Sequence, residues 1–385
     1  MVAARPTRIL IVDDSAVMRC LLRSVVCTGA GLEVAGTAAN GESALNAVET
    51  IRPDLVLLDV EMPVMDGLVT LKKLRARGHR MPVIMCSALT QRGARVTLEA
   101  LAGGASDYVA KPTHQAGRES AIQALAQDLV PKIHALTSRP LAWQQTPDRS
   151  PDQSLISAAR QAPLMLPLAA PRKFPPFFAA PEVVAIGVST GGPAALDLFL
   201  PRLPADFPLP VLIVQHMPEM FTGLFAERLN GRCQLSVREA VEGDLVRPGT
   251  VYIARGNWHM EVLASARAGS PATLRLNQAA PENHCRPSAD VLFRSAAMAY
   301  GPGVLAVVLT GMGSDGLAGC RAVRACGGGV LAQDQATSAV WGMPGAVVHA
   351  GLADRILPLN DLVPEILRLA DRTRLEARAL KEAVV

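Results

Sequence analysis

Three short segments place a nucleophile, a base and an acid at the ends of apolar runs. Val183-Val-Ala-Ile186 leads into Gly187-Val-Ser189-Thr190-Gly191, then Gly192-Pro193 and the helix-prone Ala194-Ala-Leu-Asp-Leu198. A strand, tight turn and helix start of this kind push a serine out at the carboxyl edge of a sheet, where flanking glycines let the chain turn sharply. Taken alone, the motif fits a structural or phosphate-cradling turn equally well. Val211-Leu-Ile-Val214 ends in Gln215-His216, and the most apolar run, Val304 to Thr310, ends in Gly311-Met312-Gly-Ser-Asp315-Gly316. Ser189, His216 and Asp315 together supply the nucleophile, base and orienting acid of acyl transfer. Their order, Ser then His then Asp, differs from the Ser, Asp/Glu, His order of α/β-hydrolases. Gly311, Gly313 and Gly316, with Asp334 near the next strand end, also satisfy a dinucleotide-binding fingerprint. Asp315 argues against that use, because a carboxylate in a pyrophosphate loop repels its ligand.

A second group of polar residues collects earlier, at the ends of the apolar runs 8–12, 55–58, 82–86 and 106–110: Asp13, Asp14, Asp59, Ser87 and Lys111. Clustered carboxylates repel one another, and Asp13, Asp14 and Asp59 make sense around a hard cation such as Mg²⁺. Asp59 can then accept a phosphoryl group, with Lys111 and the cation offsetting charge on the transferring oxygens and Ser87 hydrogen-bonding the product. One acidic strand end would be read as a helix cap, but five such groups on four strand ends are not caps.

Stepping strand to helix to strand predicts parallel sheets covered on both faces, with ligands at the strands' carboxyl ends. The segments 250–254, 259–263 and 272–276 read as short antiparallel strands flanking the second site. At 385 residues the chain is expected to hold more than one domain. Residues 131–180 are rich in proline and carry six Lys/Arg against two Asp, which accounts for the whole formal charge of +4. They read as a flexible basic tether, not a nucleic-acid face. No apolar run is long enough to span a membrane, and seven cysteines without a Cys-x-x-Cys pair suggest reduced thiols and a cytoplasmic location.

The first 130 residues resemble a two-component receiver domain through Asp13-Asp14-Ser15, Leu57-Leu-Asp59-Val-Glu-Met-Pro-Val-Met-Asp-Gly67, Ser87-Ala88 and Lys111-Pro112. That resemblance implies a phosphoaspartate at Asp59, Mg²⁺ held by Asp13, Asp14 and Asp59, a histidine kinase as phosphodonor, and a switch through Ser87 and Tyr108, with Lys111 beside it. The second half resembles the chemotaxis-type protein-glutamate methylesterase catalytic domain. The carriers are Gly187-Val-Ser-Thr-Gly-Gly192, Gln215-His-Met-Pro218 with Phe221-Thr222, Arg286-Pro-Ser-Ala-Asp-Val-Leu-Phe293 and Thr310-Gly-Met-Gly-Ser-Asp-Gly316. It implies hydrolysis of glutamate γ-methyl esters on methyl-accepting chemoreceptors, with deamidation of receptor glutamines, by Ser189, His216 and Asp315. Arg255 and Cys285 depart from a proline and a histidine that are common in that family.

The expected fold is therefore α/β, with two doubly wound, mostly parallel-sheet domains joined by a Pro-rich linker. A flavodoxin-like receiver occupies 1–130, the linker 131–180, and a Rossmann-like three-layer esterase domain 181–370, followed by a charged helical tail at 371–385. The oxyanion is expected to meet backbone N–H groups at the helix starts, Thr190 or Met312, and no cofactor is expected for the ester step. Two rival readings are weaker. A binding module with a vestigial site conflicts with intact Ser189, His216 and Asp315. A DNA-binding regulator needs a basic face, yet 181–385 carries 18 Lys/Arg against 19 Asp/Glu.

Overall fold

The structure is a computed structural model that describes residues 5–88, 90–112, 118–137, 180–265, 267 and 270–383. The first half alternates β1 (Thr7–Val12), α1 (Ala16–Val26), β2 (Leu32–Ala38), α2 (Gly41–Ile51), β3 (Leu55–Asp59), α3 (Gly67–Ala76), β4 (Val83–Ser87), α4 (Gln91–Ala102), β5 (Asp107–Ala110) and α5 (Arg118–Thr137). Its strands pair in parallel in the order β2-β1-β3-β4-β5. The order reverses between β1 and β3, so their carboxyl ends, carrying Asp13 and Asp59, flank the crevice where such sheets bind ligands.

The second half runs β6 (Val183–Val188), α6 (Gly192–Phe199), β7 (Val211–Gln215), α7 (Glu219–Asn230), β8 (Ser236–Glu239), β9 (Thr250–Ile253), β10 (His259–Leu263), β11 (Thr273–Asn277), α8 (Ala289–Tyr300), β12 (Val304–Val308), α9 (Leu317–Ala325), β13 (Gly329–Gln333), α10 (Met343–His349), β14 (Arg355–Leu357) and α11 (Leu359–Ala383). Among the described residues it forms a seven-stranded parallel sheet, β14-β13-β12-β6-β7-β9-β8, and a two-stranded antiparallel ribbon, β10-β11. Strands β6, β7 and β12 are buried throughout, as expected where helices cover both faces. The order reverses between β6 and β12, which brings Ser189, His216 and the Gly311–Gly316 loop to one sheet edge.

Three expectations change. Thr250–Ile253 is not part of an antiparallel flank: β9 pairs in parallel with β7 and β8 in the main sheet. Val251, Tyr252 and Ile253 are all buried, as suits a strand lying between β7 and β8 in the main sheet. Second, α5 continues past Pro131 to Thr137, so the first residues of the expected linker are helical. Leu125, Leu129, Ile133 and Leu136 form a buried stripe at helical spacing, and that burial overrides the hydrogen bond lost at proline. The rest of the linker lies outside the described residues. Third, the polar edge strands β2 and β8 lacked an apolar run to announce them. The charged tail is the end of one helix, α11, that begins at Leu359. Among the described residues no helix is long and apolar enough to cross a membrane.

The two sheets are not independent bodies. Tyr108 of β5 stacks on Phe221 of α7 with ring centroids 4.8 Å apart. Arg228 of α7 donates to the Leu98 carbonyl of α4 at 2.5 Å and pairs with Asp197 at 2.8 Å. Arg95 of α4 faces Glu227 at 3.7 Å. One apolar cluster runs unbroken from Leu98 and Leu101 to Phe221 and Phe225.

Candidate active site and phosphoacceptor pocket

At the first crevice, Asp13 is fully buried, Asp59 nearly so, and Asp14 is exposed. Lys111 Nζ bridges Asp13 Oδ2 at 2.8 Å and Asp59 Oδ1 at 2.7 Å. Burial pushes the Asp59 carboxyl up to about 6, against the pull of Lys111. Burial alone would lower the Lys111 pKa, but Asp13 and Asp59 raise it, so the ammonium is firmly charged. Asp13, Asp14 and Asp59 offer carboxylate oxygens within 4.8 Å of one another. An all-oxygen donor set open to solvent on the Asp14 side fits a hard cation that keeps several waters, as Mg²⁺ does. Ser87 ends the adjacent strand β4, is buried, and donates to the Ala88 carbonyl at 3.2 Å. Tyr108 is also buried, but its ring is turned toward Phe221, so it belongs to the contact between the sheets.

The second site is built by register. Val188 and Gln215 are paired on β6 and β7, so Ser189 and His216 are the next residues on adjacent strands. His216 N donates to the Val188 carbonyl, and Ser189 N to the Thr310 carbonyl, at 3.1 and 3.0 Å. Gln215 Nε2 ties the two turns together, reaching the carbonyls of Ser189 (3.1 Å) and His216 (3.2 Å). Gly191, with φ of 77°, caps α6 in a conformation that favours glycine. Gly311 is needed for closeness: a Cβ there would come within 2.8 Å of Ser189 Cβ.

Asp315 is buried and points at the ring: His216 Nε2 lies 2.7 Å from Asp315 Oδ2. The same carboxylate accepts from Ser288 Oγ (2.7 Å), the Ala289 and Asp290 N–H groups (2.6 and 3.2 Å) and Asn283 Nδ2 (3.0 Å). Burial opposes its ionisation, but His216 and these donors at the amino end of α8 hold it well below the ordinary carboxylate range. His216 is pushed up to about 9: burial lowers it, and Asp315 and Cys285 outweigh that. The remaining ring nitrogen, Nδ1, faces Cys285 Sγ at 3.5 Å. Among the described hydrogen bonds none joins Ser189 Oγ to the ring.

This arrangement leaves no room for the dinucleotide alternative. The carboxylate of Asp315 is spent on His216, that of Asp290 occupies Gly319 N–H at the start of α9 (2.6 Å), and Asp334 holds Thr337.

Thr190 and Met312 lie at the same edge with different surroundings. Thr190 Oγ1 donates to Asp107 Oδ2 at 2.7 Å, a side-chain bond that crosses from the second sheet to β5 of the first. Burial raises the Asp107 carboxyl, with Lys132 (3.9 Å) and Thr190 pulling the other way. Met312 packs, with Val340, against the apolar cluster under α5. Sequence reasoning missed Asp107, Cys285, Asn283 and Ser288 as site residues. A charged residue opening an otherwise apolar strand was the available signal for Asp107.

Comparison with known proteins identifies relatives of both halves. Residues 9–136 match the response regulator receiver domain family and 184–366 the CheB methylesterase family. A Trichodesmium erythraeum protein-glutamate methylesterase/protein-glutamine glutaminase is 46% identical over 361 residues, covering 94% of this chain and 98% of that one. A Nocardioides enzyme of the same description is 48% identical over 367 residues, 95% of this chain and 96% of its own. The crystal structure of the Thermotoga maritima CheB methylesterase catalytic domain is 41% identical, with a TM-score of 0.47, and covers 50% of this chain and all of its own.

Proposed function

The chain belongs to the receiver-linked protein-glutamate methylesterase/protein-glutamine glutaminase family, and we propose that Ser189, His216 and Asp315 carry its hydrolysis of glutamate γ-methyl esters. With Nε2 committed to Asp315, the nitrogen that takes the Ser189 proton is Nδ1. Ser189 Oγ then attacks the ester carbonyl, and the protonated His216 gives its proton to the departing methoxide, so methanol leaves. Water, deprotonated by the same nitrogen, cleaves the acyl-enzyme and restores Ser189. Asp315 keeps the tautomer and steadies the imidazolium. Among the described residues no hydrogen bond uses the N–H of Thr190 or Met312, which supports both as oxyanion donors. Removing such a donor typically costs about 3 kcal/mol of transition-state stabilisation. A glutamine carboxamide in the same position releases ammonia through the same acyl-enzyme.

The phosphoryl group is assigned to Asp59, with Lys111 countering its charge and Ser87 bonding it. Mg²⁺ held by Asp13, Asp14 and Asp59 would neutralise the phosphoryl oxygens. The substrates are methyl-accepting chemoreceptors and the phosphodonor a histidine kinase. Seven cysteines, none of them in a disulfide, fit a cytoplasmic setting. Because the Asp107–Thr190 bond sits one residue from Ser189, the receiver is cast as a lid that phosphorylation at Asp59 loosens through Ser87 and Tyr108.

The observation that carries the reading is the Asp315–His216 pair beside Ser189 at one sheet edge. Ser189→Ala removes one hydroxyl and is expected to abolish methanol release from methylated receptor with an unchanged circular dichroism spectrum. Turnover within tenfold of wild type would reject the assignment.

A further inference from the structure

We propose that Cys285 and His216 form a binding site for a thiophilic divalent cation such as Zn²⁺, and that its occupancy switches off the hydrolysis assigned to Ser189. The second clause rests on the function proposed above; the site itself does not. His216, Cys285 and Asp315 each offer a ligand atom within 4.8 Å of the others. Cys285 Sγ stands 3.5 Å from His216 Nδ1. Zn²⁺ holds sulfur at about 2.3 Å and imidazole nitrogen at about 2.0–2.1 Å, so two such ligands at a tetrahedral angle lie about 3.5 Å apart. The observed separation matches that distance.

The back of the ring is prepared as well. His216 Nε2 is held by Asp315, the carboxylate–histidine arrangement that orients metal-binding imidazoles and strengthens them as donors. Asp315 is in turn fixed by Ser288 and the α8 amide groups, so the ring cannot swing away. Cys285 is half-buried, which leaves an approach from solvent. Two protein ligands leave the other positions to water, so the cation is exchangeable, unlike one in a four-ligand structural site. The thiol and imidazole select a soft ion, whereas the carboxylates Asp13, Asp14 and Asp59 select a hard one.

Inhibition follows from the electron count. Nδ1 has one lone pair, and it is the pair that must accept the Ser189 proton. A cation on Nδ1 takes that pair, so metal binding and base catalysis exclude each other.

The test uses the full chain in saturating Mg²⁺, with methanol release from methylated receptor measured against buffered Zn²⁺. Wild type is expected to lose activity reversibly, recovering with a zinc-selective chelator. Cys285→Ser, scaled to its own zinc-free rate, should need at least about tenfold more Zn²⁺. Independently of turnover, Co²⁺ should give a thiolate charge-transfer band that disappears in Cys285→Ser and survives in Cys326→Ser. Equal Zn²⁺ sensitivity of wild type and Cys285→Ser, or a Co²⁺ band unchanged in Cys285→Ser, overturns the proposal. Absence of turnover without zinc counts against the esterase assignment instead, and the Co²⁺ band then decides the metal site alone.

Discussion

Replacing Asp107 with alanine removes the one side-chain hydrogen bond described between the receiver and Thr190, the residue after Ser189. Thr190 Oγ1 reaches Asp107 Oδ2 at 2.7 Å in a buried setting, and a hydrogen bond to a charged group is worth about 1.5–3 kcal/mol. The lower end applies, because burial raises the Asp107 pKa and deleting a buried carboxyl also recovers desolvation. Lys132 is not stranded, since it keeps Asp128 at 2.9 Å and the Tyr108 carbonyl at 2.8 Å. A loss near 1.4 kcal/mol is a tenfold change in an equilibrium constant. The unphosphorylated full chain carrying Asp107→Ala should therefore demethylate receptor about tenfold faster than wild type. Its rate should be capped at that of phosphodonor-treated wild type, and its own response to phosphodonor should shrink by the same factor. Asp107→Asn, which still accepts from Thr190, should rise less. The assay is methanol release with and without a small phosphodonor and Mg²⁺. An unphosphorylated Asp107→Ala rate equal to wild type would show that this contact does not hold the lid, and the reasoning would fail.

Other substitutions probe each site separately. Asp59→Asn should take up no acid-labile phosphate from a small phosphodonor, while its unstimulated esterase rate stays at the wild-type level; stoichiometric incorporation would move the acceptor elsewhere. Asp315→Asn should lower kcat by on the order of 10³–10⁴, less than Ser189→Ala, because it disturbs the tautomer and not the attack; a near-normal kcat would detach Asp315 from catalysis. Since the base must be neutral and His216 is pushed up to about 9, kcat/KM should climb with pH through that value. The stabilising His216–Asp315 ion pair runs oppositely, present in full below about 6.5 and lost as pH rises through about 9. A kcat/KM profile already flat from pH 7 upward would refute this ordering.

What could be read from the chain was what apolar runs announce. β1, β3, β4, β6, β7 and β12 are runs buried on both faces, and the polar residues that end them had to meet at the sheets' carboxyl edges. That is why Asp13, Asp59 and Lys111 cluster, and why Asp315 reaches His216. β9 was misread because a four-residue apolar run does not say which neighbour it joins. α5 was cut short because a local proline signal was set against a stripe of buried leucine and isoleucine that only the folded sheet reveals. Cys285 and Asp107 were invisible for another reason. Each acts on a partner 69 or 83 residues away, and no spacing rule connects them.

The makeup of the contact between the two halves bears on whether it can switch. Tyr108 against Phe221 and the continuous apolar cluster supply non-directional burial. A purely apolar seam would close more tightly, since a buried ion repays its desolvation only with good partners. Asp107 puts a buried carboxyl into the seam, and burial raises its pKa against the pull of Lys132 and Thr190. The Arg228–Leu98 bond adds direction at the α4 end. A displacement of β5 or α4 would therefore act on the Asp107–Thr190 and Arg228–Leu98 bonds. β5 carries Tyr108 and Asp107 toward Phe221 and Thr190 while its end leads to Lys111, which pairs with Asp59. A change of charge at Asp59 therefore has a path of one strand to the residue next to Ser189.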